Sequence, residues 1–180
     1  LIRCIGRTTI RFVRALRRRA GLPGITLMMA NDMAGLVSPQ MYHDFFKPVE
    51  KRIFNALCPL KQGRFYHADS RMNHQLENLN DLKPGIVNLG PTLTVKEIRE
   101  KMPDVVIAGH VTPIEVLAKG TPKEVLEEGI QNIRDAFGTG GGIILTSAGS
   151  INPGTPFENL RAMLEAPLEY QQRYGGGKLF

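Results

Sequence analysis

The sequence predicts an α/β fold with a parallel β-sheet. Strand-like and helix-like segments alternate five times along the chain, the strand-like segments are short unbroken apolar runs, and turn residues separate them. Unbroken apolar runs are typical of parallel strands that helices cover on both faces. Two architectures fit this alternation. One is an open doubly wound sheet, and the other is about five C-terminal βα units of a parallel (β/α)8 TIM barrel, which needs about 250 residues when complete.

The first 20 residues are predicted to form a helix rich in arginine, with seven arginines and no acidic residue. Helical spacing predicts an inner face made of Ile2, Ile5, Thr9, Val13 and Leu16. Subtracting the seven arginines from the 23 basic residues leaves 16, against 17 acidic residues, so the net charge of +6 comes from this helix. Such a helix can contact an anionic membrane, an acidic partner or nucleic acid. An arginine outer face is also ordinary for a surface helix, and we do not expect nucleic-acid binding.

The other elements follow a break at residues 21–24. The predicted strands span residues 25–30, 64–68, 85–90, 105–110 and 142–148. The predicted helices span residues 38–57, with a kink at Pro48, and then 72–82, 94–102, 113–119, 122–136 and 155–170. Residues 171–180 are predicted to be a frayed tail. Residues 1–180 are therefore predicted to be one partial domain.

Spacing argues against several classes of site. GTGGG, residues 138–142, follows a helix and opens a strand, which is the reverse of a phosphate-binding loop, so it predicts a turn. Cys4 and Cys58 fit neither a disulfide framework nor a CxxC metal pair, as expected in a reducing cytoplasm. No apolar run approaches the roughly 18 residues that span a bilayer, so we predict no membrane segment. The chain begins with Leu1, which is expected of a fragment or a processed chain.

Polar side chains gather where the predicted strands end. The carboxyl ends of parallel strands meet at one edge of the sheet, where α/β enzymes place their chemistry. We therefore expect these side chains to form one site. They are Asp32 after the first strand, His67, Asp69 and Arg71 at the second, Asn88 in the third, His110 at the fourth and Ser147 in the fifth.

The stretch RFYHADSRMNH carries the strongest candidates. His67 and Asp69 are two residues apart, which places them on one face of a strand. A neutral imidazole and a carboxylate can bind a divalent metal or act as an oriented acid–base pair. Asp32 serves either the site or its loop. Arg71 either clamps an acidic substrate or pairs with a surface acid, and His110 is either a functional group or a hydrogen-bonded core residue.

Several stretches resemble one enzyme superfamily. They are NDMAGLVSPQMYHDFFKPVEKRIF (31–54), GHVTPIEVLAKGTPKEVLEE (109–128) and GGGIILTSAGSINPGTPFENLRAMLEA (140–166), together with the strand of His67. The GTP-x-EV and P-x-TP-x-EN-L elements within them are similar to the C-terminal half of the uroporphyrinogen decarboxylase superfamily. This superfamily includes the heme-pathway decarboxylase and zinc-dependent methyltransferases that exchange methyl groups with corrinoid proteins. The resemblance covers most of residues 21–170 and implies a (β/α)8 barrel without its first units.

The resemblance also implies roles for particular positions. In the methyltransferases a His-x-Cys pair and a later Cys hold zinc. His67 falls on that His, Asp69 on the first Cys and Gly149 on the later Cys. The decarboxylases have a His near the same final strand end, which Gly149 also replaces. The resemblance therefore implies that no thiolate is present, and that zinc or another divalent metal would be held by His67 and Asp69 at a harder site.

Three hypotheses follow. The first is a corrinoid-linked methyltransferase-like activity on a small methylated substrate, with the corrinoid carried by a partner protein. There His67 and Asp69 would hold a metal or the leaving atom, His110 would assist as ligand or acid, and Arg71, Asn88 and Ser147 would bind substrate. The second is decarboxylation of a tetrapyrrole in heme biosynthesis, in the negative field of Asp32 and Asp69. The third is a non-catalytic interaction module, including a homodimer, formed through exposed sheet edges.

Overall fold

Within residues 1–137 and 141–175, which the computed structural model describes, five parallel strands form one sheet in chain order. The strands are β1 (Leu27–Ala30), β2 (Arg64–Ala68), β3 (Ile86–Leu89), β4 (Val106–Val111) and β5 (Ile143–Ser147). Each lies within two residues of its predicted bounds, which confirms the α/β class. A doubly wound sheet reverses its strand order at a switch point, whereas these strands keep one direction of succession. The sheet is therefore part of a (β/α)8 barrel.

Seven α-helices flank the strands in the described residues, and all but the first and the last of them lie between successive strands. They are α1 (Ile2–Ala20), α2 (Pro39–Met41), α3 (Lys47–Leu57), α4 (Leu76–Asn80), α5 (Val95–Lys101), α6 (Pro122–Ala136) and α7 (Phe157–Tyr174). Thr94 and Thr121 begin α5 and α6 with capping boxes, in which each threonine side chain accepts from the third helical residue. The irregularity predicted at Pro48 takes the form of a π-helical turn, Tyr42–Phe46, immediately before α3.

The two faces of the sheet differ in their environment. Tyr66, Val87 and Ile107 point toward the helices and are fully buried in the main core. On the opposite face Met28 of β1 and Ile144 of β5 are 63% and 53% exposed. We had expected helices to cover both faces, as in a doubly wound sheet. In a barrel the second face is the interior, and here this interior is open at the edge strands.

The first helix packs on α3 through a face that overlaps the predicted one only in part, because Ile2, Thr9 and Val13 are partly buried. Its buried residues are Gly6 and Ile10, whereas Ile5 and Leu16 of the predicted inner face are 55% and 53% exposed. A Cβ at Gly6 would lie less than 3.0 Å from a side-chain methyl of Val49. The missing side chain lets the two helices approach closely, so the contact centres on Gly6 and the helix is rotated away from its most apolar stripe.

The carboxyl-terminal helix is longer than predicted. It continues to Tyr174, so the first four residues of the predicted tail are helical. Arg173 forms ion pairs with Glu127 and Glu169, and the ring of Tyr170 stacks on Phe137. Residues 138–140 of the predicted turn and the last five residues of the chain lie outside the described structure. In the part that is described, no helix has both the length and the apolar character needed to cross a membrane.

Candidate active site

A hydrogen-bond network fixes the imidazole of His67. The β2–β3 register places His67 beside Asn88, and Nδ1 of His67 lies 2.7 Å from Oδ1 of Asn88. The Asn88 amide nitrogen donates to the carbonyls of Ala108 and Ser147, at 2.6 and 3.1 Å. Because both carbonyls only accept, Oδ1 of Asn88 must be the atom that accepts from His67. Nδ1 of His67 therefore carries a proton, and Nε2 is the nitrogen available for chemistry.

The available nitrogen faces a carboxylate, as the spacing of the two residues predicts. Nε2 of His67 lies 3.5 Å from Oδ1 of Asp69, and the two side chains are 25% and 42% exposed. A lone pair and a carboxylate oxygen repel at this distance, whereas a proton or cation between them makes the approach favourable. The pair can therefore share a proton or bind a cation, and it is open to a substrate.

Asp32 anchors the loop that carries this pair. Its Oδ1 accepts the backbone N–H of Asp69 at 2.7 Å and that of Ser70 at 3.4 Å. A charged acceptor makes such hydrogen bonds stronger than those between neutral groups. Of the two roles open to Asp32 from the sequence, the structure provides the loop contact, and it also leaves a second carboxylate at the same end of the sheet.

Two of the candidate substrate-binding residues are enclosed in protein. Asn88 is 7% exposed, and its amide group is hydrogen-bonded to His67 and to two backbone carbonyls. Ser147 is 2% exposed, and its hydroxyl donates to the carbonyl of Gly149. These contacts give both residues a supporting role, which differs from the direct substrate contact that the sequence predicted.

His110 and Arg71 are not joined to the pair by any contact among the described residues. His110 is 4% exposed, and its Nε2 contacts the carbonyl of Leu93. Burial lowers the pKa of His110 below its usual range, which favours the neutral ring. Arg71 is exposed, and its guanidinium has no hydrogen bond or ion pair within the described chain. The surface ion pair that was one alternative for Arg71 is thus not observed.

A buried carboxyl group that the sequence did not predict lies behind the site. Glu50 is 6% exposed and accepts hydrogen bonds from Nδ2 of Asn31, at 2.6 Å, and from the hydroxyl of Tyr42. Asn31 also donates its backbone N–H to the carbonyl of His67 at 3.1 Å. Burial raises the pKa of Glu50. The available signal was an acidic residue in helical register with Phe54, on the inner face of α3.

The donor set fits a resident zinc poorly. Catalytic zinc sites usually have three protein ligands, and no group of three or more His, Cys, Asp and Glu side chains among the described residues could hold a metal ion. Cys4 is exposed on α1, and the thiol of Cys58 contacts the carbonyl of Ile25, at the amino end of β1. Neither thiol belongs to the site. His67 and Asp69 fit a proton-sharing pair better than a closed metal site.

Comparison with known proteins gives matches of two enzymatic types. Methylcobamide:CoM methyltransferase MtbA of Methanosarcina acetivorans is 22% identical over 136 residues, which are 76% of this chain and 39% of that protein. Uroporphyrinogen decarboxylase of Geobacillus sp. is 28% identical over 165 residues, 92% of this chain and 46% of that protein. The chain thus spans less than half the length of these curated relatives.

A solved structure shares the fold. A methyltransferase from Methanosarcina mazei superposes with a TM-score of 0.70 at 20% identity, over 84% of this chain and 43% of that chain. Its strand and helix arrangement agrees with a partial (β/α)8 barrel. The model of the family described as uroporphyrinogen decarboxylase (URO-D) matches residues 1–170. The chain therefore belongs to the uroporphyrinogen decarboxylase family.

Proposed function

We propose that this chain carries the acid–base pair of a corrinoid-linked, methyltransferase-like enzyme that acts on a small methylated substrate. The observation that carries the proposal is the His67–Asp69 pair, in which Asn88 holds Nδ1 and leaves Nε2 facing the carboxylate. A relative and a structural neighbour that are both methyltransferases support this choice. The corrinoid would be carried by a partner protein, which would deliver it to the carboxyl end of the strands, where His67 and Asp69 lie.

The pair supplies what methyl transfer from a heteroatom requires. The leaving oxygen, nitrogen or sulfur gains negative charge as the methyl group departs, and a proton donor lowers the cost of that charge. In this proposal Nε2 of His67 donates the proton. Before the transfer, Asp69 stabilises the protonated imidazole. Arg71, which has no ion pair among the described residues, provides a cation in the same loop for an acidic group of the substrate.

A divalent ion such as zinc is the alternative to a shared proton at this pair, and it would have only His67 and Asp69 as protein ligands among the described residues. Held by His67 and Asp69, it would supply Lewis-acid help, with water or substrate as its remaining ligands. Elemental analysis of the purified chain and of His67→Ala tests this point. About one ion per chain, lost in the variant, supports it, and an equal metal content in both proteins contradicts it.

Decarboxylation of a tetrapyrrole is the second candidate, because two carboxylates lie at the same strand ends. Asp32 contacts the backbone of Asp69, so both negative charges face one region. A protonated pyrrole is a cation, and such charges would stabilise it. The Geobacillus uroporphyrinogen decarboxylase matches 92% of this chain, whereas MtbA of Methanosarcina acetivorans matches 76%.

Two assays on the same preparation separate these functions. The first follows the loss of the methyl group from methylcobalamin to a small thiol, which is the proposed methyl transfer run in reverse, and the second follows carbon dioxide release from a porphyrinogen. Methyl loss without carbon dioxide release supports the first candidate, and the reverse result supports the second. If neither reaction occurs while the folded chain binds another protein, the non-catalytic interaction module is the better description.

We further propose a cytoplasmic location, and a homodimer as one use of the open sheet edges. Both edge strands present apolar side chains, because Met28 and Ile144 are more than half exposed. Light scattering of the purified chain measures its mass directly. A mass of twice 20.0 kDa supports the dimer, and a mass of one chain contradicts it.

A further inference from the structure

Gly149 lies against the carboxylate that faces His67. A Cβ built on Gly149 would fall less than 3.0 Å from Oδ1 of Asp69 and 3.1 Å from its Cγ. The same Oδ1 atom lies 3.5 Å from Nε2 of His67. We propose that Gly149 is a positioning residue, whose missing side chain leaves the space in which Asp69 can face His67.

This contact joins the loops at the carboxyl ends of two strands that are not neighbours in the sheet. Asp69 follows β2 and Gly149 follows β5, and two other strands lie between them in the sheet. The loop of Gly149 is fixed where it meets Asp69. The hydroxyl of Ser147 donates to the carbonyl of Gly149, and the N–H of Gly149 donates to the carbonyl of Ser147 at 3.0 Å. The loop therefore cannot move aside without breaking these hydrogen bonds.

The backbone of Asp69 is held equally firmly. Its N–H donates to Asp32 at 2.7 Å, and a Cβ at Gly90 would fall less than 3.0 Å from its carbonyl oxygen. The backbone of Asp69 is thus held at its N–H and at its carbonyl and cannot retreat as a unit. A side chain at position 149 would leave only rotation of the Asp69 carboxylate, and that rotation takes Oδ1 away from His67.

Gly154 provides a matched control in the same loop. Gly149 and Gly154 both have positive φ, +105° and +82°, so an L side chain strains the backbone at either position. A Cβ at Gly154, however, meets nothing within 4 Å. The difference between Gly149→Ala and Gly154→Ala therefore isolates the contact with Asp69 from the backbone strain.

The importance of Gly149 to function rests on the proposed role of the His67–Asp69 pair, but its positioning effect is measured without any activity. The probe is the set of imidazole nitrogen resonances of the chain labelled with 15N-histidine, which contains four histidines. The His67 signal is assigned by its loss in His67→Ala. Spectra at one fixed pH are compared for the wild type, Asp69→Ala, Gly149→Ala, Gly154→Ala and the double variant Asp69→Ala/Gly149→Ala.

We expect Gly149→Ala to shift the His67 ring signals by about as much as Asp69→Ala does, and Gly154→Ala to leave them in place. In the Asp69→Ala background, Gly149→Ala should cause no further shift. The proposal is overturned if Asp69→Ala moves the His67 signals but Gly149→Ala does not, or if Asp69→Ala moves none of them. It is also overturned if Gly149→Ala shifts them equally in the wild-type and Asp69→Ala backgrounds. Should Gly149→Ala unfold, recovery of the fold in the double variant supports the contact, and unfolding of both variants contradicts it.

Discussion

Asn88 holds His67 in one tautomer. Its amide nitrogen donates to the carbonyls of Ala108 and Ser147, so its oxygen alone faces Nδ1 of His67, at 2.7 Å. These contacts link β3 to β2, β4 and β5. One buried side chain therefore connects four strand ends and sets the nitrogen that His67 presents to Asp69. The predictions below follow from this arrangement and from the packing around it.

Replacing Asn88 should destabilise the protein. In Asn88→Ala the carbonyls of Ala108 and Ser147 lose a buried donor, and Nδ1 of His67 loses its acceptor. Buried polar groups without partners cost about 1–3 kcal/mol each. Urea unfolding should therefore show a loss of at least about 1–3 kcal/mol. Asn73→Ala removes an exposed hydrogen bond to the carbonyl of Thr92 and should cost less; an equal loss in both variants would contradict a supporting role for Asn88.

Removing the imidazole should abolish acid–base help. If the proposed methyl transfer is detected, His67→Ala should reduce its rate about 10²–10⁴-fold, the usual contribution of a positioned acid or base. His43→Ala is the control, because His43 lies on the surface and pairs with the neighbouring Asp44. Equal rates for wild type and His67→Ala would show that His67 takes no part in the reaction.

The buried carboxyl of Glu50 predicts a pH-dependent stability. Burial raises its pKa in the folded chain above the unfolded value. Above that unfolded value, of about 4.3, the unfolded chain loses this proton first. The contribution of Glu50 to stability therefore falls as the pH rises toward the folded pKa, and it stays constant beyond it.

The variant Glu50→Gln cannot ionise and tests this sign directly. The free energy of unfolding of Glu50→Gln, relative to that of wild type, should be higher at pH 8 than at pH 4. The difference should be about 1.4 kcal/mol for each unit by which the pKa of Glu50 is raised. Urea unfolding at both pH values measures the difference. If the stability difference between Glu50→Gln and wild type is the same at pH 4 and pH 8, the pKa of Glu50 is the same in the folded and the unfolded chain.

The contact between α1 and α3 predicts an unusual helix substitution. Gly6→Leu should be destabilising by about 1–3 kcal/mol, because the new side chain meets Val49 at the helix crossing. Leucine favours helices over glycine by about 0.8 kcal/mol, so propensity alone predicts the opposite sign. Thr8→Leu, at an exposed position of the same helix, is the control. Thermal unfolding that ranks Gly6→Leu above wild type would refute the packing.

Much of the fold was predictable from local pattern. Residues 64–68 were predicted as a strand and form β2 with the same bounds, because a short apolar run between turn signals has few alternatives. The N-terminus of α5 followed from Thr94 and Glu97. The inner face of α1 was predicted only in part, for a non-local reason, since the closest approach to α3 is set by the absence of a side chain at Gly6.

The candidate site was predictable only in part. The approach of His67 and Asp69 follows from a period of two along one strand. The link from Asn88 to His67 depends on the register between strands, which spacing along the chain does not give. Gly149 meets Asp69 across two intervening strands, and Glu50 was hidden in a helix that otherwise carried an apolar pattern.

The most direct test of the account is the protonation of the His67 ring nitrogens. Long-range 1H–15N correlation spectra of the 15N-histidine-labelled chain identify which nitrogen carries hydrogen. We expect a protonated Nδ1 in the wild type, and a loss of this preference in Asn88→Ala. A His67 ring with hydrogen on Nε2 and a bare Nδ1 in the wild type would contradict it, because Nε2 would then not be the atom that Asn88 leaves free to face Asp69.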